Sequence, residues 1–377
     1  MTFEELKLMP ALLKAVFECG FKTPTPIQGK SIGPVLEGRD VMGLAQTGTG
    51  KTAAFVLPIL QRLMTGPRGR IRALVVAPTR ELAGQTHEAF CALGKYTKLN
   101  SVVIYGGVGM GPQIQKLRRG VEIVVACPGR LLDHVGQRTI NLSNVEVLVL
   151  DEADRMFDMG FLPDVRKIIG QIPAKRQTLL FSATMPPDIN KLAGEILSGA
   201  VTVRVDNSAP AITVSHCLYP VAHHLKSELL LELLSRTETD LVLVFTRTKH
   251  RAERVAKQLG RAGYKAASLQ GDLSQNKRQA ALDGFKTGRY RVLVATDIAA
   301  RGIDVTRISH VINYDMPDTV DAYTHRIGRT GRAERTGDAF TLVTPDDRDM
   351  LRGIERLLGK KPEVRKLHGF DYMKSAI

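Results

Sequence analysis

The sequence predicts an α/β protein in which each of two halves folds around a mainly parallel sheet flanked by helices. Three observations carry this reading. Short apolar runs alternate with segments rich in Ala, Leu, Lys, Glu and Arg. The same alternation restarts in the second half. At 377 residues the chain is also longer than one hydrophobic core usually serves. Strands separated by helix-length segments favour parallel pairing, because a parallel neighbour needs the crossover that a helix supplies.

In the first half the strand-like runs fall at residues 71–77, 121–126, 145–150 and 178–181. In the second they fall at 241–245, 291–295, 310–314 and 339–343. Between the halves, Val205-Asp206-Asn207-Ser208-Ala209-Pro210-Ala211 has neither the helical nor the strand period and carries turn-forming residues. The expected domains are therefore 1–205 and 213–377, joined by a linker at 206–212. Residues 351–366 read as a basic helix interrupted near Gly359 and Pro362.

A hydrophobic content of 44% supports globular folding, and a formal net charge of +15 points to a polyanionic partner, nucleic acid ahead of an anionic membrane. Acids occupy the opening Met1-Thr2-Phe3-Glu4-Glu5-Leu6-Lys7 where a secretory signal carries bases, and no apolar run approaches a membrane span. The expected location is the cytoplasm, with no membrane contact. Cys19, Cys91, Cys127 and Cys217 lack the paired spacing of a zinc site and read as reduced, mostly small packing residues.

The run Asp40-Val41-Met42-Gly43-Leu44 enters Ala45-Gln46-Thr47-Gly48-Thr49-Gly50-Lys51-Thr52 as a strand, and the chain leaves as a helix with a kink expected at Pro58. This is the context of a phosphate-cradling loop. Gly48 and Gly50 let backbone N–H groups approach phosphates, Lys51 reaches the β and γ groups, and the Thr52 hydroxyl is placed to ligate Mg²⁺. Ala45 stands where the pattern usually has glycine. About a hundred residues on, the apolar run at 145–150 ends in Asp151-Glu152-Ala153-Asp154. Two carboxylates at the carboxyl end of a buried parallel strand sit where α/β folds bind ligands. Asp151 is the candidate metal carboxylate and Glu152 the candidate general base. Upstream, Gly20-Phe21-Lys22-Thr23-Pro24-Thr25-Pro26-Ile27-Gln28 is an extended segment whose glutamine amide has the donor and acceptor needed to read an adenine edge.

Taken in order, that segment, Ala45 to Thr52, Pro78-Thr79-Arg80-Glu81-Leu82, Asp151 to Asp154 and Ser182-Ala183-Thr184 resemble the first domain of a DEAD-box RNA helicase. Val244-Phe245-Thr246-Arg247, Gln270-Gly271-Asp272, Ala295-Thr296-Asp297 through Asp304 and His325-Arg326-Ile327-Gly328-Arg329-Thr330-Gly331-Arg332 resemble the second. The resemblance implies two tandem RecA-like domains closing over ATP, Mg²⁺ and single-stranded RNA. It assigns adenine recognition to Gln28 with Phe21, Lys22 and Thr23, and places Phe3 as an upstream aromatic at the nucleotide. The loop residues Ala45, Gln46, Thr47, Gly48, Thr49, Gly50, Lys51 and Thr52 hold the phosphates, and Asp304 faces the ribose. Arg329 and Arg332 are the expected arginine fingers, a role that suits the fixed fork and permanent charge of guanidinium. Asp154, Ser182, Thr184 and His325 are expected to couple nucleotide state to RNA.

The resemblance also puts backbone contacts to RNA at Arg80, Gly106, Gly107, Arg130, Thr246, Arg247, Gly271 and Thr296. Arginine supplies charge and glycine turns expose N–H groups, so such contacts hold a strand without reading its bases and are salt-sensitive. With aromatics at 5% and no tryptophan, a base-stacking platform is poorly supported. Cys127 and Gln270 depart from the residues usual at those places, threonine and histidine.

The expected function is ATP-dependent unwinding of short RNA duplexes or remodelling of RNA–protein complexes by a monomer, most similar to bacterial RhlE-type members, with ribosome assembly and RNA turnover as possible processes. An ATP-gated RNA clamp or annealing protein would use the same residues, and a DNA-acting helicase shares the chemistry. Choice of RNA over DNA depends on contacts to the 2′-hydroxyl, so the residues alone leave it open.

Overall fold

In a computed structural model of the protein the described residues are 1–375 except 47, 206–213, 301–304, 306 and 332–335. The expected linker, Thr47, Asp304 and Arg332 lie outside them. The chain divides into two compact units, Met1–Asn207 and Ser208–Ile377.

Each unit is built on seven parallel strands. The first holds β1 (Val41–Leu44), β2 (Ala73–Val76), β3 (Ser101–Ile104), β4 (Ile123–Ala126), β5 (Val147–Leu150), β6 (Gln177–Ser182) and β7 (Val201–Arg204), in the order β3-β4-β2-β5-β6-β1-β7. The second holds β8 (Val214–Pro220), β9 (Leu241–Phe245), β10 (Ala266–Leu269), β11 (Val292–Ala295), β12 (Ile308–Asn313), β13 (Gly337–Val343) and β14 (Glu363–Val364), in the order β10-β11-β9-β12-β13-β8-β14.

The central strands are apolar throughout because helices cover both faces. Along β5, Val147 and Val149 point into one core with Phe55, Leu57 and Phe90, while Leu148 and Leu150 point into the other with Leu131, Met156 and Ile168. The second sheet repeats this with Val242 and Val244 on one side and Leu241, Leu243 and Phe245 on the other. Each of the eight runs expected as strands overlaps one, with bounds that differ by no more than two residues at either end. The strands without a matching run are mostly at or beside edges. β3, β7, β10 and β14 end the sheets, and β8 is backed only by two-residue β14. An edge strand is shielded on fewer sides, so Val-Thr-Val-Arg in β7 alternates with solvent and leaves no continuous apolar run.

Pro58, where a kink was expected, lies inside the helix Lys51–Leu63. The basic carboxyl-terminal segment forms the helix Arg348–Leu358, closed by Gly359 in the left-handed conformation (φ 64°). Among the described residues no helix is long and apolar enough to cross a membrane. All four cysteines are free. Cys217 is buried and Cys127 half-buried, but Cys19 and Cys91 are exposed, so a packing role holds for only part of the set.

Candidate active site and nucleic-acid interface

Strand order sets the geometry of the first unit. β5, β6 and β1 are neighbours, so the loops at their carboxyl ends converge. Leu44 on β1 is level with Ser182 on β6, and Ala45 N–H donates to the Ser182 carbonyl at 3.0 Å. The phosphate loop thus starts hydrogen-bonded to the end of β6, at the first residue of Ser182-Ala183-Thr184.

Gly48 and Gly50 adopt φ of 84° and 90°, left-handed values that side chains resist. At Gly50 a second constraint operates. A Cβ there would sit 2.5 Å from Gln28 Nε2. That nitrogen donates to the Gly50 carbonyl at 3.1 Å, while Gln28 Oε1 accepts from Thr25 N–H at 2.9 Å. Gln28 is fully buried, so its amide fastens the upstream segment to the loop. Lys51 is buried and its ammonium donates to the Ala45 carbonyl at 2.8 Å, spanning the loop from inside. Thr49 donates its hydroxyl to the Gln46 carbonyl at 2.7 Å, and Thr52 is half-buried in the first helical turn.

Phe3 differs from expectation. Its ring is fully buried and packs edge-to-face on Phe21 at 6.1 Å between centroids. It therefore has no face to offer a nucleotide and backs Phe21, which is half-buried; Lys22 and Thr23 are exposed. The physical reason is the short helix Glu4–Leu6, which turns Phe3 and Leu6 together into the core.

Behind the phosphate loop, Asp151 and Glu152 are both buried. Asp151 Oδ1 is a buried oxygen with no hydrogen-bond partner. Burial pushes its carboxyl up to about 7 against the opposing charge of Lys51, and the neighbouring Glu152 carboxylate adds to the rise. A buried, orphaned carboxylate oxygen beside a phosphate loop has the chemistry of a hard-cation ligand, so the residues present fit Mg²⁺. Glu152 has left-handed backbone angles (φ 53°, ψ 55°), a rare conformation outside glycine, at the start of the helix Ala153–Asp158. Its carboxylate is ion-paired with Arg155.

Asp154 ties this loop to the next strand end. Its Oδ2 accepts from Ala183 N–H (3.1 Å), Thr184 N–H (2.8 Å) and the Thr184 hydroxyl (3.0 Å). Ser182 closes the ring, accepting from Asp154 N–H at 3.1 Å and donating to the Thr184 carbonyl at 2.7 Å. Burial alone would raise the Asp154 carboxyl, but the Lys51 charge and the donors of Thr184 and Ser182 outweigh it and hold the group below its ordinary value.

On the other half of the same sheet edge, β3, β4 and β2 bring together the candidate RNA residues. Arg80 opens the helix Arg80–Leu93, capped by the Thr79 hydroxyl. Its guanidinium lies against Gly107, where an added Cβ would come within 2.1 Å of Nη1. Arg130 donates to the Val108 carbonyl at 3.0 Å, and a Cβ added at Gly106 would lie 3.7 Å from Arg80 and 4.0 Å from Arg130. One clustered basic surface results. Cys127, at the start of the helix that carries Arg130, is kept a neutral thiol by burial, with Glu81 adding to the rise, which reaches about 12.

The second unit repeats the layout at β10, β11 and β9, whose ends carry Gly271, Thr296 and the pair Thr246-Arg247. Buried Asp315 organises it. Asp315 accepts from Arg247 N–H at 2.9 Å and from Arg251 Nη1 at 2.7 Å. Arg247 also donates to the Met316 carbonyl at 3.3 Å and pairs with Asp318 at 3.4 Å, while Gly271 is exposed. Gln270 turns its side chain inward to accept from Asp272 N–H at 2.6 Å. His325 is half-buried on the helix Val320–Ile327, and Arg329 is buried just beyond it.

Sequence reasoning passed over three residues that the geometry brings forward. Arg155 partners Glu152. Arg326, buried, holds Asp297 with two parallel bonds of 2.6 and 2.7 Å and reaches Asn313 and the Asp315 carbonyl. Its position inside the motif at 325–332 was the available signal. Asp315, the hub of the second unit, follows β12 without any motif to mark it.

Paired RecA-like sheets, a phosphate loop and an acidic strand end define a two-domain P-loop nucleotide-binding protein. Residues 25–192 match the DEAD/DEAH box helicase family and residues 225–334 the helicase conserved C-terminal domain. The chain belongs to the DEAD-box family of ATP-dependent RNA helicases. It is 46% identical over 358 residues to the ATP-dependent RNA helicase CshA of Limosilactobacillus reuteri, covering 95% of this chain and 72% of that one. It is 44% identical to the CshA protein of Bacillus subtilis strain 168, covering 97% and 74%. Among solved structures, S. cerevisiae Dbp5 bound to RNA and ADP BeF3 superposes with a TM-score of 0.85 at 31% identity, covering 97% of this chain and 95% of that one. A DEAD box protein from Methanococcus jannaschii gives 0.56 at 38% identity, covering 97% and 99%.

Proposed function

We propose that this protein couples ATP hydrolysis to local separation of short RNA duplexes, or to remodelling of RNA–protein complexes, through closure of its domains 1–205 and 213–377 about the linker 206–212. The observation that carries this is the convergence of Lys51, the Asp151-Glu152 pair and the Asp154–Thr184 lock at three adjacent strand ends. Gly48 and Gly50, with the rest of the loop from Ala45 to Thr52, cradle the phosphates, and Lys51 leaves the Ala45 carbonyl to meet the β and γ groups. Thr52 and Asp151 are the residues that would hold Mg²⁺, which would neutralise charge on the phosphates.

Glu152 orients water and takes its proton as the water oxygen bonds to the γ-phosphorus and the bond to the bridging oxygen of ADP breaks. For that role the Glu152 carboxylate must exchange Arg155 for water. Gln28, with Phe21 to Thr23, selects adenine; Asp304 binds the ribose; Arg329 and Arg332 stabilise the transferring phosphoryl group. Asp154, Ser182, Thr184 and His325 pass nucleotide state to the RNA surface. Arg80, Gly106, Gly107, Arg130, Thr246, Arg247, Gly271 and Thr296 hold the strand by its backbone, so binding is insensitive to base sequence.

The relatives named above are CshA proteins, so the RhlE-type subgroup expected from the sequence is not part of this proposal. The protein is proposed to act as a cytoplasmic monomer, with ribosome assembly or RNA turnover as the process served. Strand displacement under ATP tests the function. A short RNA duplex should be separated with turnover, and a long one should resist. ATP-locked binding without displacement would instead identify an RNA clamp.

A further inference from the structure

We infer that His134 and Gln113 form a buried clamp that positions the RNA-facing turn of the first unit, an inference that rests on the RNA role proposed for Gly106, Gly107 and Arg130. Gln113 lies on the helix Met110–Arg118, which follows that turn. Its Nε2 donates to the carbonyl of Tyr105, the residue before Gly106, at 2.9 Å. The carbonyl can only accept, so this end of the amide is the nitrogen and the other end is the oxygen. That oxygen lies 3.1 Å from His134 Nε2, so Nε2 carries the imidazole proton. Nδ1 is then an acceptor, and the Thr139 hydroxyl, 2.7 Å from it and 3.2 Å from the His134 carbonyl, shares its one proton between the two. One tautomer satisfies every link.

His134 is fully buried, and burial together with the Arg130 charge lowers its pKa, which agrees with a neutral ring. It lies on the helix Pro128–Gly136, four residues after Arg130 and so on the same face. The chain Thr139–His134–Gln113–Tyr105 therefore fixes the helix bearing Arg130 against the helix and strand end that flank Gly106 and Gly107. Arg130 adds a parallel tie through the Val108 carbonyl. An apolar contact would fill the same space yet permit sliding. A fully satisfied buried network sets one relative position of the two RNA-binding pieces. Neither residue reaches the nucleotide loop through any of these bonds, so both act as positioning residues for RNA.

The test compares wild type with His134→Phe, Gln113→Leu and His134→Gln. Two readouts are taken: the RNA concentration giving half-maximal ATPase, and hydrogen exchange of the 105–113 amides without RNA. The first two variants should raise the half-saturating RNA by about tenfold, the equivalent of one lost buried hydrogen bond, with kcat at saturating RNA and the ATP KM unchanged. Exchange at 105–113 should quicken, and His134→Gln, which restores a donor near Nε2, should reverse both effects. Unchanged RNA dependence and exchange in variants that keep the wild-type Tm would overturn the clamp, as would a fall in kcat with RNA affinity intact. The exchange arm reads the clamp without RNA, so a wild type that ignores RNA would defeat the functional reading while exchange still decides the clamp.

Discussion

Asp154 and Thr184 follow different strands, β5 and β6, yet one carboxylate oxygen accepts both the Thr184 N–H at 2.8 Å and its hydroxyl at 3.0 Å. Any shift of the acidic loop on meeting nucleotide is thus imposed on the Ser182-Ala183-Thr184 strand end. Thr184→Ala removes the hydroxyl alone and should cost about 1 kcal/mol in stability while leaving ATP affinity near wild type. RNA stimulation of the ATPase should fall several-fold, measured as the ratio of rates with and without RNA. Asp154→Ala strands two backbone donors as well and should cost about 3 kcal/mol by urea unfolding.

Asp151 makes stability depend on pH in a defined direction. Its folded pKa of about 7 lies above the ordinary 3.8, so its contribution is fully present below about 4 and is lost as pH rises through 7. Asp151→Asn removes that loss. Without nucleotide or metal, the variant should exceed wild type in Tm above pH 7, by up to a few kcal/mol in free energy, with the gap closing as pH falls toward 4. Its ATPase should be abolished. An equal Tm gap at every pH would remove Asp151 as the titrating group.

Gly50 cannot accept a side chain for two independent reasons, its φ of 90° and the Gln28 nitrogen 2.5 Å from any Cβ. Gly50→Ala should weaken ATP binding by at least tenfold in titration calorimetry and lower stability by about 1–3 kcal/mol. Gly33→Ala, on a helix with open space beside it, serves as the neutral control.

In the second unit, Asp297→Ala leaves the guanidinium of Arg326 buried without its carboxylate. Because Asp297 is partly exposed, the expected cost is in the lower range for a broken buried pair, about 2–3 kcal/mol in chemical denaturation. The double variant Asp297→Ala/Arg326→Met should recover part of that loss, since it removes the stranded charge.

Much of this was legible in the sequence where chemistry repeats at fixed spacing. The buried strands announced themselves as apolar runs because both faces are covered, and the phosphate loop did so because glycines and Lys51 occur at set intervals. Edge strands β3 and β7 did not, since half-exposed backbone tolerates Ser, Thr and Arg. Partnerships across the fold were also hidden. Nothing near Gln28 indicates that Gly50 will accept its N–H, and nothing near Phe3 indicates that Phe21 will cover its ring. Those facts belong to packing between distant segments. Asp315 likewise becomes a hub only once β12 is set beside β9.

The central claim, ATP hydrolysis driven by RNA through this site, is tested most directly by steady-state ATPase with no nucleic acid, with single-stranded RNA and with matched DNA. The same series on Glu152→Gln reports any contaminating activity. RNA should stimulate strongly, DNA little, and Glu152→Gln should abolish the stimulated rate. Equal stimulation by DNA, or a Glu152→Gln protein as active as wild type, would contradict the account.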